Sequence, residues 1–365
     1  RNSEGDILAW DAVNDMSIED SLEAGYIANG GDLQGHGTHV CGIVGAVANN
    51  GIGIAGVSNN AKLLPVNVFT RSATGSVSAK TSDIVSGYEY LKQLMDERTL
   101  TDLRVINMSL GRITSGDSYS PGEYSTDRLL ENAIVEMRDR GVLTVCAGGN
   151  GDSTGVAYTD RFNFPSDFDP CVAVSALDNE NRNASFSDYN KYKDISAPGV
   201  YILSTTYRSD DSYGYMSGTS QASPVVAGAV ALLWAQVPEL TADEVVTAIK
   251  DTAQPIPDDT RYDRYRIDTN PYSQQGSAGS IDVASAITSV AAAKQDEEKI
   301  SISDADVSLS SARLAYTGKA RCPEITVKLD GMTLVRDTDY TVKCENNKYV
   351  GTAMLTLTGM GEYAG

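Results

Sequence analysis

Over its first 290 or so residues the chain alternates short apolar runs with segments of helical spacing, and this alternation limits the fold more than any other feature. Leu63-Leu64-Pro65-Val66-Asn67-Val68-Phe69 reads as a strand. From Thr81 or Ser82 a helix-start signal leads into apolar residues at Ile84, Val85, Tyr88, Leu91, Leu94 and Met95, spaced as on one helix face. Val105-Ile106-Asn107-Met108-Ser109-Leu110 reads as a buried strand. Residues 129–137 repeat the helical spacing and stop before Gly141, which suits the left-handed position past a helix end. Segments 142–146 and 172–176 are strands again, and Thr241-Ala242-Asp243-Glu244 is a capping box opening a helix through Ile249. Strands alternating with helices predict an α/β fold around a mostly parallel central sheet.

The pattern changes after an Ala-rich helix near 281–293. Gln295-Asp296-Glu297-Glu298-Lys299 reads as a linker, which divides the chain into a domain over 1–294, a linker over 295–299 and a small all-β module over 300–365. Strands are expected at 324–329, 340–343 and 352–357, with Asp330-Gly331 as a hairpin turn. From Glu297 onward there are 8 basic and 10 acidic residues, so −18 of the net charge of −20 falls on the α/β part. Such acidity excludes nucleic-acid binding through a generally basic surface. With 41% hydrophobic and 21% charged residues the chain is globular in composition, and no apolar run is long enough to span a membrane. The five Cys form no CxxC pair, which disfavours a zinc ribbon or a thioredoxin-like site. The chain opens on Arg1 without a leader and stops at Gly365 without a cap, so it reads as a processed form or a fragment.

Only two His are present, and both lie in Gly35-His36-Gly37-Thr38-His39-Val40-Cys41-Gly42. Acid–base chemistry near neutral pH most readily uses His, so the candidates are already few. Far downstream, Ser217-Gly218-Thr219-Ser220-Gln221-Ala222-Ser223-Pro224 leads into a wholly apolar helix. A Ser there has its hydroxyl at the positive end of the helix dipole, and Pro224 is expected in the first turn, where a missing N–H costs nothing. Between the two lies Val145-Cys146-Ala147-Gly148-Gly149-Asn150-Gly151, a strand running into glycines and an Asn whose amide could donate to a developing oxyanion.

Together these motifs resemble those of subtilisin-like serine proteases, the subtilase (peptidase S8) family. Asn107-Met108-Ser109-Leu110-Gly111, Ala184-Ser185-Phe186-Ser187 and Ser196-Ala197-Pro198-Gly199 add to the likeness, which covers about 280 residues in the family's order. The resemblance implies a three-layer α/β fold and a serine endopeptidase acting on polypeptides without a catalytic cofactor. It implies Ser220 as nucleophile, His36 as base, and Asn150 with the Ser220 N–H as oxyanion donors. Ser109, Leu110, Gly111, Ala147, Gly148 and Gly149 would line the substrate cleft. The family's triad runs Asp, His, Ser, and its Asp ends a strand in an Asp-Ser/Thr-Gly turn that does not precede His36 here. The Asp strand is therefore expected upstream of Arg1. In the alternative, one of Asp6, Asp11, Asp15, Asp20 or Asp32 orients His36, or the site is degenerate and the chain is a non-catalytic surface pseudoprotease that binds. An α/β-hydrolase reading fails, because that fold needs Gly-x-Ser-x-Gly and a His after the Ser.

His39 is expected to pack rather than react. The loop Asn49-Asn50-Gly51-Ile52-Gly53-Ile54 resembles the family's calcium loop, with Asn50, Ile52 and Ile54 as ligands, or is a plain Gly-rich turn. Cys41 and Cys146 read as buried thiols, and Cys322 with Cys344 as a disulfide or two free thiols. Segments such as Asp339-Tyr340-Thr341-Val342 and Gly351-Thr352-Ala353 resemble the Ig-like repeats of bacterial surface proteins, which implies a secreted or cell-surface protein attached through its C-terminal module.

Overall fold

The computed structural model describes residues 9–27, 32, 34–113, 125–152, 154–158, 161–188, 190, 192–256, 279–297, 300–315, 317–348 and 351–364. Strand β1 (Trp10–Asp11) pairs antiparallel with β2 (Met16–Ser17) and parallel with β3 (Val66–Asn67). Only Val66 and Asn67 of the run expected as a strand at 63–69 join this ladder. Pro65 has no N–H to give it, although its carbonyl accepts from Trp10 at 3.2 Å. Phe69 belongs instead to a hairpin of β4 (Phe69–Arg71) and β5 (Val77–Ala79).

A second sheet is parallel throughout: β6 (Val105–Met108), β8 (Leu143–Ala147), β10 (Cys171–Leu177) and β11 (Ile195–Pro198), in the order β11-β10-β8-β6. A short antiparallel pair, β7 (Arg112–Ile113) with β9 (Asn163–Phe164), follows its C-terminal side. Side chains alternate across a strand. Thr144 and Cys146 of β8 therefore meet α3 (Thr81–Asp96) and α4 (Ser125–Asp139), the Tyr88 hydroxyl lying 2.9 Å from Thr144 Oγ1. Leu143 and Val145, fully buried, turn to the face covered by α5 (Thr219–Gln236). Because both faces are covered, the strands are continuous apolar runs rather than alternating ones.

Helix α3 also reaches the first sheet, where a Cβ on Gly87 would lie 3.1 Å from Val66 Cγ1. One helix thus lies over both sheets, yet among the described residues β3 and β6 are each the last strand of their sheet. Helix α2 (His36–Gly45) packs on α5, where Gly228 meets Val57 and the Val44 carbonyl. It also packs on the hairpin of β12 (Ile202–Thr205) and β13 (Tyr213–Met216). There Ser204 Oγ donates to the His39 carbonyl at 2.7 Å and Thr205 Oγ1 to that of Thr38 at 2.8 Å. The expected capping box is present at α6 (Ala242–Asp251), with Thr241 and Glu244 bonded reciprocally.

The chain divides into two compact units, Arg1–Ile287 and Thr288–Gly365. Helix Val283–Glu297 crosses that division and reaches into the segment expected as a linker at 295–299. In the second unit short strands surround a small core of Ile302, Val327, Leu334 and Tyr340, and Cys322 is disulfide-bonded to Cys344. Asp330 and Gly331 take φ of 49° and 84°, the left-handed pair that a two-residue hairpin turn requires, between Ile325–Leu329 and Met332–Thr333.

Candidate active site

Ser220 is the second residue of α5, and Pro224 lies six residues in, not in the first turn as the sequence suggested. The correction matters, because residue 224 should donate its N–H to the Ser220 carbonyl and proline has none. Ser109, just past β6, takes its place: Ser109 Oγ donates to the Ser220 carbonyl at 2.8 Å. In return Ser220 Oγ donates to the Ser109 carbonyl at 3.2 Å. Ser109 Oγ accepts from Asn107 Nδ2 at 3.0 Å, and Asn107 Oδ1 accepts from Ser223 Oγ at 2.7 Å. The end of β6 and the first turn of α5 are thereby joined by side chains of both.

Asn150 leaves β8 through Gly149, whose φ of 106° favours glycine. Its Oδ1 accepts from the Thr219 N–H at 2.8 Å and from Thr219 Oγ1 at 3.0 Å. Thr219 Oγ1, fully buried, accepts from the Gly149 N–H at 3.1 Å. Two donors on the oxygen fix the amide's orientation. Asn150 itself is exposed, so its Nδ2 is a donor on an open side, one residue from Ser220 through Thr219.

His36 is the first residue of α2 and is half-buried. Gly35 before it has φ of 77°, and the Tyr207 ring packs where its Cβ would be. Burial lowers the imidazole below its usual range and His39 adds to this, while the charge of Asp32 pulls it back up. Among the described residues no hydrogen bond joins His36 to Ser220 or to a carboxylate. Asp11 is fully buried and bonded to Val13, Asn14, Ser21 and Asn67, so it is committed elsewhere. Asp20 accepts from Ser17 Oγ, and Asp32 caps α2. Asp6 lies outside the described residues. His39 is fully buried with Nε2 3.1 Å from the carbonyls of both Ile202 and Gly214, so that nitrogen carries the proton and the ring ties α2 to the hairpin. Cys146 is buried as expected, whereas Cys41 is only half-buried; burial and Asp32 raise its thiol.

Gly111 and Gly149 both pack on β9. A Cβ on Gly111 would lie 2.7 Å from the Phe164 carbonyl, and one on Gly149 would lie 2.2 Å from Asp188 Oδ2 and 2.6 Å from Asn163 Oδ1. Ala147 and Gly148 are buried, and Leu110 packs on the core. A Cβ on Gly148 would meet the stem of Lys193, whose ammonium is buried on Asp167. Asp188 is fully buried; its N–H donates to the Gly149 carbonyl at 3.0 Å and its Oδ1 accepts from the Tyr158 N–H at 2.6 Å. Its Oδ2 has no partner among the described residues. Burial raises this carboxyl to about 6, against the N–H groups of Tyr158 and Gly151, Lys193 and Asn163. Sequence reading named Asp32 only as one of five carboxylates that could orient His36, and it missed Asp188 and Thr219. Thr219 stood beside Ser220 in the motif, but nothing local marks Asp188, which meets Gly149 only through the fold.

At the loop 49–54, Asn50 Oδ1 accepts from the Ile52 N–H at 3.0 Å. With the carbonyls of Ile52 and Ile54 it would offer three neutral oxygens, about half of the 6–8 that calcium takes. Among the described residues no group of three or more His, Cys, Asp or Glu is placed to hold a metal.

A parallel sheet, a buried helix opening on Ser220 and an oriented Asn150 beside it define a class, and the chain belongs to the subtilase family, whose model matches residues 11–277. These are serine endopeptidases, hydrolases of polypeptides. The chain is 37% identical over 243 residues to subtilisin DY of Bacillus licheniformis, covering 67% of this chain and 79% of that one. It is 37% identical over 235 residues to a thermophilic serine proteinase of Bacillus sp. (strain AK1), covering 64% of this chain and half of that one. Among solved structures, a protease of Pseudoalteromonas arctica PAMC 21717 matches with a TM-score of 0.52 and 31% identity over 70% of each chain.

The raised carboxyl of Asp188 has a consequence for stability. A folded value above the unfolded one means that its favourable contribution is complete below about pH 4 and is lost as pH rises through about 6. At 1.36 kcal/mol per unit the loss is roughly 2–3 kcal/mol by pH 8. Asp188→Asn keeps an acceptor for Tyr158 and removes the charge. Its urea midpoint should exceed that of the parent at pH 8 and not at pH 4; equal shifts at both pH values would refute the buried charge.

Proposed function

We propose that the chain carries most of a serine endopeptidase active site in which Ser220 is the nucleophile, His36 the general base, and Asn150 Nδ2 with the Ser220 N–H the oxyanion donors. The observation that carries this reading is the Asn150 amide, whose oxygen is held by Thr219 so that its N–H groups are left for a ligand. Ser220 Oγ leaves the Ser109 carbonyl and attacks the scissile carbon as His36 takes its proton. The carbonyl oxygen becomes negative and is held by the two donors. His36 then passes the proton to the leaving amine, and water repeats the sequence on the acyl-enzyme. Segments 109–111 and 147–149 would pair with an extended peptide as added strands.

The third triad member is proposed on a strand preceding residue 1. Support comes from β3 and β6, both last in their sheets under the same helix, and from the prior commitment of Asp11 and Asp32 to other bonds. The second reading, a non-catalytic binding protein, draws on the lack of any described carboxylate bonded to His36. Residues 1–294 are proposed as the peptidase domain, 295–299 as a linker and 300–365 as an Ig-like module for attachment to a cell surface. The Cys322–Cys344 disulfide is in keeping with secretion.

Casein hydrolysis, measured with and without a preceding Asp-bearing strand, separates the readings. The extended chain should be active and unfold cooperatively, and residues 1–365 alone should show little activity. Equal activity from the shorter chain would return the role to one of its own carboxylates. In the active form Ser220→Ala should abolish hydrolysis, and Asn150→Ala should lower kcat by about 10²–10³, a magnitude known for this donor in subtilisin itself. Parental rates in Ser220→Ala would end the nucleophile assignment.

Calcium is proposed as a structural ligand of the loop at Asn50, Ile52 and Ile54, with other ligands from outside it. Millimolar calcium should raise the thermal midpoint and a chelator lower it. A midpoint indifferent to both removes the loop as a site.

A further inference from the structure

Helix α2 begins on a glycine, so its cap residue has no side chain with which to satisfy the first N–H groups. Asp32 does this from three residues upstream. Its Oδ1 accepts from the Gly35 N–H at 2.8 Å and the Gln34 N–H at 3.3 Å. Its Oδ2 accepts from the Thr38 N–H at 2.8 Å and from Thr38 Oγ1 at 2.5 Å. His36 lies between the two anchor points, Gly35 and Thr38. A carboxylate at this end of a helix also meets the positive end of its dipole.

We propose that Asp32 is the positioning residue of His36: its carboxylate pins the backbone on both sides of the residue and places a negative charge beside the imidazole. The proposal rests on His36 being the general base. Among the described residues the titratable groups that act on the imidazole are Asp32, upstream of α2, and His39 on it. Tyr207, whose ring packs on Gly35, lies in the β12–β13 loop with Arg208, Asp210 and Asp211. Helix α5 and strand β12 have no charged residue, and β13 adds only tyrosines 213 and 215. Among the described residues Asp32 is the anion whose charge acts on His36, and it opposes the effect of burial there. The four hydrogen bonds outweigh the cost of its own burial and hold its carboxyl below the usual range, so it is charged wherever the imidazole titrates.

With only two His in the chain there are two Cε1–H proton resonances, and His39→Gln assigns them. Asp32→Asn keeps an oxygen acceptor for the cap and loses the charge. Its His36 should titrate about half a unit to one unit lower than in the parent, with His39 little moved. Asp32→Ala loses the cap as well and should also melt earlier. In the active form, the acid limb of kcat/KM in Asp32→Asn should move to lower pH by the same amount. A purely structural role would instead lower the rate at every pH. An unchanged His36 titration in folded Asp32→Asn overturns the proposal. If that variant does not fold, salt tests the parent: high salt should screen Asp32 and lower the His36 value, and a value indifferent to salt overturns the proposal. Either result leaves the nucleophile assignment to Ser220→Ala, so the two readings fail separately.

Discussion

The carbonyl of Ser220 has no helical partner, because Pro224 has no N–H to offer it, and the site is assembled around that group. Ser109 Oγ supplies the missing donor, which draws the end of β6 against the first turn of α5. Asn107 and Ser223 close the same network from the two elements. On the other side Thr219 receives the Gly149 N–H and holds the Asn150 amide, which ties the end of β8 to the same turn. Convergence of this kind needs strands that run the same way, and β6 and β8 are parallel neighbours. A site beyond the carboxyl ends of parallel strands follows from that topology.

Much of this was legible in the sequence because it is local. The Thr241–Glu244 capping box, the Asp330-Gly331 turn and the uncharged run of α5 each carry their cause within a few residues. The depth of Pro224 within α5 was not legible. The helix starts at Thr219, held by Asn150 from 69 residues away, and this partner sets the start earlier than the motif alone suggests. Strand 63–69 was over-read for a related reason. Apolar content permits a strand, but only the residues that find a ladder partner become one, and here those are Val66 and Asn67.

The half of the site around His36 depends on longer-range causes. Asp32 does not match the usual capping pattern, in which the cap residue itself carries the acceptor. Its role follows from the glycine at the cap position and from a turn that brings it back onto Thr38. His39, three residues on, is spent on the β12–β13 hairpin, so the two His of the chain serve different elements although one helix bears both. The glycines on either side of the site are there for the same kind of reason: Gly35 makes room for Tyr207 and Gly149 for Asp188 and Asn163.

Three carboxylates show how donor count decides charge where burial alone would not. Burial pushes Asp11, Asp32 and Asp188 all upward. Asp11 and Asp32 each receive four hydrogen bonds over both oxygens, and in both the bonds outweigh burial and hold the carboxyl below its usual range. In Asp188 one oxygen has no partner among the described residues, and burial wins. The nearest ammonium, Lys193, is itself buried on Asp167 and is only partly available to it. A carboxyl that titrates near 6 therefore lies directly behind Gly149, one residue from the Asn150 amide, while a fully ionised one caps the helix of His36. The two sides of the site rest on the same functional group, and the supply of N–H and O–H donors around each determines which of them carries a charge as the pH falls.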